Sequence, residues 1–325
     1  MKIKFAYGVA TLLFALSLKA QPLPLTAGDP IPLPGTSGGY DFIQMDREGN
    51  RLLLGHEGNH SFDVFDLKTR QLLKAVATGT SQDAATDTKH HSYYVSGNDP
   101  GRLVIVDSKT LAVTGEVPMP SDTDLIGYDP KTGLVHLCND KTAEQWVIDP
   151  VAKKIVTTIT FDGRGMEDMA LDVKNRRLYQ AVKGANTIAE VDLDSNTVLA
   201  AWPLAPDKGP HGIALVPKSN GLLIACASNL VLMSRSSGKI LATAPIGGRV
   251  DEMTYDPGLH MAYCASRQGK ISVVAVADDS LTPMGDVPDA DRTGDITVDP
   301  RTHTVWIAYQ KDGQCFAQPF TPDQK

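Results

Sequence analysis

The sequence lacks the short motifs that identify several common classes of enzyme. It contains no phosphate-binding loop, no dinucleotide-binding glycine fingerprint and no Gly-x-Ser-x-Gly nucleophile turn. It also lacks the Cys-x-x-Cys-His motif that attaches haem, which argues against a self-contained electron-transfer protein. After residue 20, no apolar stretch approaches the length of a membrane span and no segment shows convincing helical periodicity.

Cysteine is scarce, and its spacing matches neither a dense disulfide framework nor a zinc ribbon. The four cysteines are Cys138, Cys226, Cys264 and Cys315. An even number permits disulfides in an oxidising compartment. However, Cys226 and Cys264 lie in matching Cys-Ala-Ser contexts within apolar runs. Buried free thiols are therefore at least as consistent with the sequence as disulfide bridges.

The one long apolar run lies at the N-terminus, where residues 1–20 are predicted to be a secretory signal peptide. Lys2 and Lys4 form a short basic segment, the run extends from Phe5 to Leu18, and Ala20 offers a small residue for cleavage. We expect the mature protein to be periplasmic or secreted, without integral membrane contact after cleavage. An uncleaved anchor is the alternative interpretation.

An excess of acidic residues limits the classes of partner. The formal net charge is −7, and since residues 1–20 carry three lysines and no acid, the remainder has a formal charge of −10. An acidic chain repels phosphate backbones unless its bases gather on one face. The charge thus argues against nucleic acid as the partner, and it favours a small molecule, a peptide or a periplasmic protein. We expect a monomer.

A repeat runs through the rest of the chain. An anchor aspartate recurs at gaps of 40 to 44 residues, with a Val-Pro pair in its place in the fifth unit. The anchor positions are Asp46, Asp87, Asp129, Asp172, Val216, Asp256 and Asp299. Short β-branched and aromatic runs alternate with turn residues between the anchors. Four short strands in each of seven units predict an all-β fold, a seven-bladed β-propeller with four-stranded antiparallel blades.

The two ends of the chain are predicted to complete one blade together. The seventh unit, from Gly294 to about Phe320, supplies only three strands. Residues 25–35 are similar to the outer strand of other units, and their prolines are tolerable in an edge strand. We expect residues 25–35 to join the last blade and close the ring, which removes an exposed edge. Residues 21–325 then form a single propeller domain.

The second unit carries a resemblance to a known family. Residues 94–98, Tyr-Val-Ser-Gly-Asn, precede Gly101–Asp107 and then Thr110 and Val113. This order resembles the YVTN repeat, and weaker copies occur in the first, third and fourth units. The resemblance covers residues 25–320. It implies an exported seven-bladed propeller of the YncE-like kind, several of which are described as binding modules. It says little about function, because propellers of one shape serve many tasks.

Residues from all seven units are predicted to meet at one mouth of the central channel. The first strand of each blade starts there and the second strand ends there. Five positions before the anchors lie Asp41, Gln82, Asp124, Glu167, His211, Asp251 and Gly294. The next positions hold Phe42, Asp83, Leu125, Asp168, Gly212, Glu252 and Asp295. We expect a ring of carboxylates, with nearby arginines at Arg164, Arg249, Arg267 and Arg292.

Three interpretations of this ring remain open, because crowded carboxylates take up protons, pair with bases or bind a cation. The first is a structural network of acids and arginines. The second is a site for a divalent cation such as Ca²⁺, with candidate ligands Asp41, Asp124, Glu167 and Asp251. The third is an acid/base pair in which His211 works with Glu167 or Asp251. The sequence leaves the cofactor open.

Residues 56–60 spell His-Glu-Gly-Asn-His, which matches the zinc-protease motif in letters only. That motif needs a helix, so that two histidines four residues apart share one face. Here Gly58 and Asn59 fall at the turn of a predicted hairpin. We therefore expect no protease site, although His56 and His60 could still approach one another across the turn and share a metal.

Two functions follow from these observations. The favoured one is a binding module that holds a ligand or partner at the channel mouth, since loops on a rigid scaffold make good recognition surfaces. The alternative is a metal-assisted hydrolase or lyase of the lactonase or streptogramin-lyase type, which would use the channel-mouth acids and His211. The sequence favours a protein without enzymatic activity.

Overall fold

The computed structural model describes residues 24–289 and 293–323. The predicted signal peptide and Arg292 lie outside these ranges. Within the described residues, no helix is long and apolar enough to cross a membrane. The secondary structure of this part of the chain is almost entirely strand, apart from a single 3-10 turn at Glu57–Asn59.

The strands form seven antiparallel sheets, and the first four blades follow one another along the chain. Two N-terminal strands, β1 (Leu25–Ala27) and β2 (Ile31–Leu33), precede them. Blade one comprises β3 (Ile43–Asp46), β4 (Arg51–His56), β5 (Ser61–Asp66) and β6 (Gln71–Ala77). Blade two comprises β7 (Thr80–Asp87), β8 (Ser92–Asn98), β9 (Arg102–Asp107) and β10 (Val113–Pro118). Blade three comprises β11 (Ile126–Asp129), β12 (Leu134–Cys138), β13 (Glu144–Asp149) and β14 (Lys154–Thr160). Blade four comprises β15 (Met166–Asp172), β16 (Arg177–Val182), β17 (Thr187–Asp192) and β18 (Thr197–Pro203).

The last three blades continue the pattern. Blade five comprises β19 (Ile213–Leu215), β20 (Gly221–Ala225), β21 (Asn229–Ser234) and β22 (Ile240–Pro245). Blade six comprises β23 (Val250–Asp256), β24 (Met261–Ser266), β25 (Lys270–Val276) and β26 (Leu281–Pro288). Blade seven comprises β27 (Ile296–Asp299), β28 (Thr304–Lys311) and β29 (Gln314–Pro322). The predicted seven-bladed propeller is therefore confirmed.

The N-terminal segment supplies the outer strand of blade seven, as predicted for residues 25–35. Strands β1 and β2 both pair antiparallel with β29, with Leu25 opposite Pro322 and Leu33 opposite Cys315. The outer strand is thus interrupted between its two halves. Leu25 and Leu33 are both almost fully buried, so this closure contributes apolar burial as well as backbone pairing.

Seven apolar clusters hold the ring together, and each lies between two neighbouring blades. The cluster between blades three and four, for example, joins Val147 and Ile159 to Met166 and Leu178. Each blade therefore buries both of its faces, and this explains why the inner strands are continuous apolar runs rather than alternating ones.

The anchor aspartates stabilise the first turn of their blades. Asp46 accepts the Gly49 N–H at 2.8 Å, and Asp256 accepts the Gly258 N–H at 2.8 Å. Asp46 also accepts the Tyr93 hydroxyl of the next blade at 2.6 Å. The anchor is thus turn chemistry, as the sequence predicts. The four cysteines, all within the described ranges, are buried and unpaired.

Candidate functional site

A cavity of about 330 Å³ opens at the mouth of the central channel where the first strands begin. Its lining includes seven of the ten predicted site residues, contributed by six different blades. These are Asp41, Gln82, Asp124, Glu167, His211, Asp251 and Arg267. Each of the first six lies at or just before the start of a first strand, where a blade comes closest to the axis. The radial arrangement therefore gathers residues that are far apart in the sequence.

Two of the other three predicted residues, Arg164 and Arg249, are not part of this lining. Both are exposed and form no ion pair with any described acid, so they do not neutralise the carboxylates as expected. Arg292 lies outside the described residues.

Glu167, His211 and Lys183 form one contact network in the cavity. The Lys183 ammonium lies 3.0 Å from Glu167 Oε1 and 2.6 Å from His211 Nε2. An ammonium has only donors, so Nε2 is the acceptor in this contact. The ring proton of His211 is then on Nδ1, 3.1 Å from Glu167 Oε2, to which it donates. Burial alone would raise the pKa of Glu167, but His211 and Lys183 outweigh burial and lower it.

Asp251 and Arg267 form the second paired group. Arg267 Nε donates to Asp251 Oδ2 at 2.6 Å, and a second guanidinium nitrogen contacts the same oxygen. The other oxygen of Asp251 lies 3.9 Å from His211 Nδ1. This oxygen therefore connects the two paired groups through His211, on one side of the cavity.

Asp41 and Asp124 are the two half-buried acids of the cavity that lack a partner, whereas Glu57 and Asp140 are exposed at its rim. Neither carboxylate has a hydrogen-bond or ion-pair partner among the described residues. Burial, followed by repulsion from Asp251 and Glu57, raises the pKa of Asp41 to about 8. Burial and repulsion from Asp41 raise the pKa of Asp124 well above its ordinary value. Both groups thus hold protons where an ordinary carboxyl would not.

The acids of the neighbouring column do not point into this cavity. Asp83 accepts the N–H of Ile126 at 3.2 Å, and Asp168 accepts the N–H of Ile213 at 3.0 Å. Glu252 accepts the N–H of Ile296 at 2.6 Å. In all three cases a carboxyl group of one blade holds the first strand of the next. The sequence interpretation in which the acids form a structural network therefore fits this inner column of residues, which directly follows the channel-mouth column. Their partners are backbone N–H groups instead of arginines.

A second cavity, of about 380 Å³, continues along the axis below the first. Phe42 lines both cavities and so lies between them. The lower lining is mixed: Met169, Ile213 and Met253 alternate with Asp168 and Glu252. Burial raises the pKa of Asp168 to about 7 and that of Glu252 well above its ordinary value, which reduces charge in this apolar setting.

The candidate cation ligands are not arranged as a ready-made metal site. Within residues 24–289 and 293–323, no three His, Cys, Asp or Glu side chains are grouped so that they could hold one metal ion. His56 and His60 are also directed to different partners, since His56 contacts Asp63 and His60 Nδ1 lies 2.9 Å from Thr80 Oγ1. The 3-10 turn between them confirms the hairpin predicted there.

Several lining residues were missed by the sequence analysis. They are Glu57, Asn98, Asp122, Asn139, Asp140, Lys141 and Lys183. Most follow or end the second strand of a blade, which is the position at which Arg267 was recognised. Reading that column in every unit would have found Asn98, Asn139 and Lys183.

The fold and the site can now be compared with known proteins. A scan against protein-family models finds no match. The chain is 27% identical over 221 residues to the protein YncE of Salmonella typhi, covering 65% of this chain and 60% of that protein. The YncE protein of Salmonella typhimurium gives the same identity and coverage. The chain is thus similar to YncE, and its own fold is a seven-bladed β-propeller. The match spans about three fifths of the length of these relatives, which are themselves described as uncharacterized.

Solved structures support the propeller fold of this chain. A chain of the Kuenenia stuttgartiensis hydrazine synthase aligns with a TM-score of 0.77 at 14% identity, covering 88% of this chain and 98% of that one. A chain of a mitotic checkpoint complex aligns with a TM-score of 0.76 at 13% identity, covering 98% of each. At such low identity the likeness concerns the architecture alone.

Proposed function

We propose that this propeller is a binding module whose channel-mouth cavity takes a positively charged group of a small molecule or peptide. The observation that carries the proposal is the pair of unpaired carboxylates, Asp41 and Asp124, in a cavity of about 330 Å³. An ammonium or guanidinium group placed between them would relieve their repulsion and supply the missing donors. The volume suits a small ligand or one side chain of a partner.

Amide side chains of the lining give the ligand a second kind of contact. Gln82 and Asn98 line the cavity with amide groups, which can donate and accept hydrogen bonds, whereas the amide of Asn139 is engaged by the backbone of Asp122 and Lys141. The ligand expected here is therefore a cation with polar substituents. The acidic lining also disfavours a phosphate-bearing ligand, in agreement with the formal charge of −10 outside residues 1–20.

Calorimetric titration with putrescine and agmatine tests this proposal, with butanediol and succinate as neutral and anionic probes of similar length. The cations should bind and the other two should not. Binding should tighten between pH 6 and pH 9, because the cation competes with the proton on Asp41, whose pKa is about 8. The proton released should make the binding enthalpy depend on the ionisation enthalpy of the buffer.

The double variant Asp41→Asn with Asp124→Asn should weaken cation binding by tenfold or more. Asp278→Asn is the matched control, because Asp278 is exposed and lies outside the cavity. Cation binding that survives the double variant, or that is absent from the unaltered protein, would contradict the proposal.

Acid/base catalysis at His211 is the second candidate, because Glu167 and Asp251 both approach His211 Nδ1. A general base needs a free nitrogen to accept a proton from the substrate. Here Nε2 is occupied by Lys183, so the lysine must move before His211 can act. This geometry favours binding over hydrolase or lyase chemistry. Release of an ester or lactone product that disappears in His211→Gln would reverse this preference.

Export to the periplasm is part of the same proposal and is supported by the sequence of residues 1–20 alone. Cell fractionation followed by N-terminal sequencing tests it. A mature chain beginning after Ala20 is the expected result, and a cytoplasmic protein that retains Met1 would refute it.

A further inference from the structure

A cysteine, a histidine and an aspartate are aligned at the seam between blade seven and blade one, and none of the three belongs to the lining of the channel-mouth cavity. Cys315 Sγ lies 3.7 Å from His56 Nε2, and His56 Nδ1 lies 2.8 Å from Asp63 Oδ2. Ser61 donates to the other oxygen of Asp63 at 2.7 Å. Strand β29 supplies the thiol, while β4 and β5 supply the other groups. Ring closure is therefore what assembles them.

This arrangement favours the thiolate form of Cys315. Burial would lower the pKa of His56, but the hydrogen bonds with Asp63 and Cys315 raise it to about 9. Burial would raise the pKa of Cys315, yet His56 and neighbouring hydroxyl groups lower it instead. A thiol beside a histidine that an aspartate holds in place is the arrangement that activates cysteine as a nucleophile.

Tyr40 adds an observation independent of charge. Its ring stacks on His56 with ring centroids 4.0 Å apart, and its hydroxyl is buried beside Cys315. Tyr40 is only 8% exposed, and its hydroxyl faces Thr36 and Cys315 without forming a hydrogen bond of normal geometry with a described residue. A buried donor without a well-formed hydrogen bond is unusual in proteins. An oxygen atom bonded to the sulfur would give this hydroxyl an acceptor.

The segment between β2 and β3 covers the three residues. The Gly38 carbonyl lies 3.4 Å from Cys315 Sγ and 3.3 Å from His56 Nε2. Gly38 has a φ of +102°, and a Cβ there would lie 2.6 Å from the Gly58 Cα, so only glycine fits. Cys315 itself is 1% exposed. A reagent that reaches the thiol must therefore be very small.

We propose that Cys315 is a hydroperoxide-reactive thiol, which His56, Asp63 and Tyr40 equip to form a sulfenic acid. The thiolate sulfur attacks one oxygen of hydrogen peroxide, so that an S–O bond forms and the O–O bond breaks. The sulfur is oxidised by two electrons and the peroxide is reduced. The leaving hydroxide takes the proton of the His56 imidazolium and departs as water, and the Tyr40 hydroxyl donates to the new sulfenic oxygen.

The other three cysteines are internal controls for this reaction. Burial raises the pKa of Cys226 to about 12, and it raises those of Cys138 and Cys264 well above the ordinary value. No histidine contacts any of these three thiols among the described residues. All four cysteines are similarly buried. Differences in their reactivity therefore report the chemical setting and not exposure.

The experiment treats the folded protein with hydrogen peroxide at pH 7, unfolds it in the presence of dimedone and maps the adducts by mass spectrometry. Cys315 should be oxidised at least tenfold faster than each of the other three thiols. His56→Gln should slow it at least tenfold at pH 6 to 7, whereas His303→Gln should not. His303 is the matched control because it makes a similar contact with Asp256, at 2.7 Å, in a different part of the ring.

Two further readouts keep the test decisive if His56→Gln does not fold. In the unaltered protein the oxidation rate of Cys315 should rise less steeply from pH 6 to pH 8 than that of an ordinary thiol, because the pKa of Cys315 is lowered. A rate that rises tenfold per pH unit, as for an ordinary thiol of pKa about 8.5, would overturn the proposal. Equal oxidation of all four cysteines in the folded protein would also overturn it. Tyr40→Phe should leave the oxidation rate unchanged and shorten the lifetime of the sulfenic acid.

Discussion

Replacement of Asp41 by asparagine should stabilise the propeller, and by more at high pH than at low pH. Asp41 lies in the channel-mouth cavity without a partner, and its pKa is about 8 in the folded protein. The ordinary pKa of an aspartate, 3.8, applies after unfolding. Since the folded state holds this proton more tightly, the stability that the proton provides is complete below about pH 4. It is then lost as the pH rises to about 8.

The magnitude follows from the size of the shift. Each pKa unit corresponds to about 1.4 kcal/mol, so a rise from pH 5 to pH 8 costs the unaltered protein up to about 4 kcal/mol at this one site. Asp41 is partly accessible to solvent, and water weakens the repulsion. We therefore expect Asp41→Asn to gain about 1 to 3 kcal/mol relative to the unaltered protein between pH 5 and pH 8.

Urea unfolding at pH 5 and at pH 8, monitored by tryptophan fluorescence, measures this gain as a difference in the free energy of unfolding. Asp278→Asn, which alters an exposed aspartate, should show no gain. A gain for Asp41→Asn that is equal at both pH values would show that Asp41 is ionised throughout. The account of the cavity given above would then be wrong.

Three further predictions test other parts of the structure. Asp168→Ala at pH 5 should lower the free energy of unfolding by about 1 to 3 kcal/mol, because the Ile213 N–H loses its acceptor. This loss should be smaller at pH 8, where the unaltered protein buries the charge of Asp168, and urea unfolding at the two pH values measures the difference. Long-range ¹H–¹⁵N spectra should show His211 as the Nδ1–H tautomer, and Lys183→Met should relax this preference; the Nε2–H tautomer in the unaltered protein would contradict the geometry. Removal of residues 24–33 should lower the free energy of unfolding by about 4 kcal/mol or more, because two buried leucines and the pairing with β29 are lost. An unchanged midpoint of thermal unfolding would refute the role given to β1 and β2.

The repeat made the architecture predictable from the sequence. The anchor aspartates fixed the units, and the missing strand of the seventh unit indicated how the ring closes. The radial arrangement then placed six of the seven residues of one column around a common cavity. Periodicity carries this information because each blade repeats the same local pattern of strands and turns.

The pairing within the site could not be predicted in the same way. Lys183 lies at the Glu167–His211 contact, and only side-chain geometry shows that it occupies the histidine nitrogen. The contact between Cys315 and His56 spans most of the chain and depends on ring closure. Arg164 and Arg249 precede lining residues by only two or three positions in the sequence, but both are exposed and neither belongs to the lining. A repeat fixes where a backbone position lies, but not which neighbour its side chain selects.

The odd number of blades leaves one acid of the inner column without a backbone partner. Asp83, Asp168 and Glu252 of blades two, four and six each hold the next blade through a backbone N–H. These contacts join blade two to three, four to five and six to seven, so that blade one has no such contact. Asp295 of blade seven faces that gap, and it accepts no hydrogen bond from a described residue.

Burial, followed by repulsion from Asp41 and Asp251, raises the pKa of Asp295 well above its ordinary value. Alternation around an even ring could give every such carboxyl group a backbone partner, whereas seven blades leave Asp295 over. Asp295 does not line the channel-mouth cavity, but it repels Asp41, which does. A cation bound beside Asp41 would therefore also favour the ionised form of Asp295.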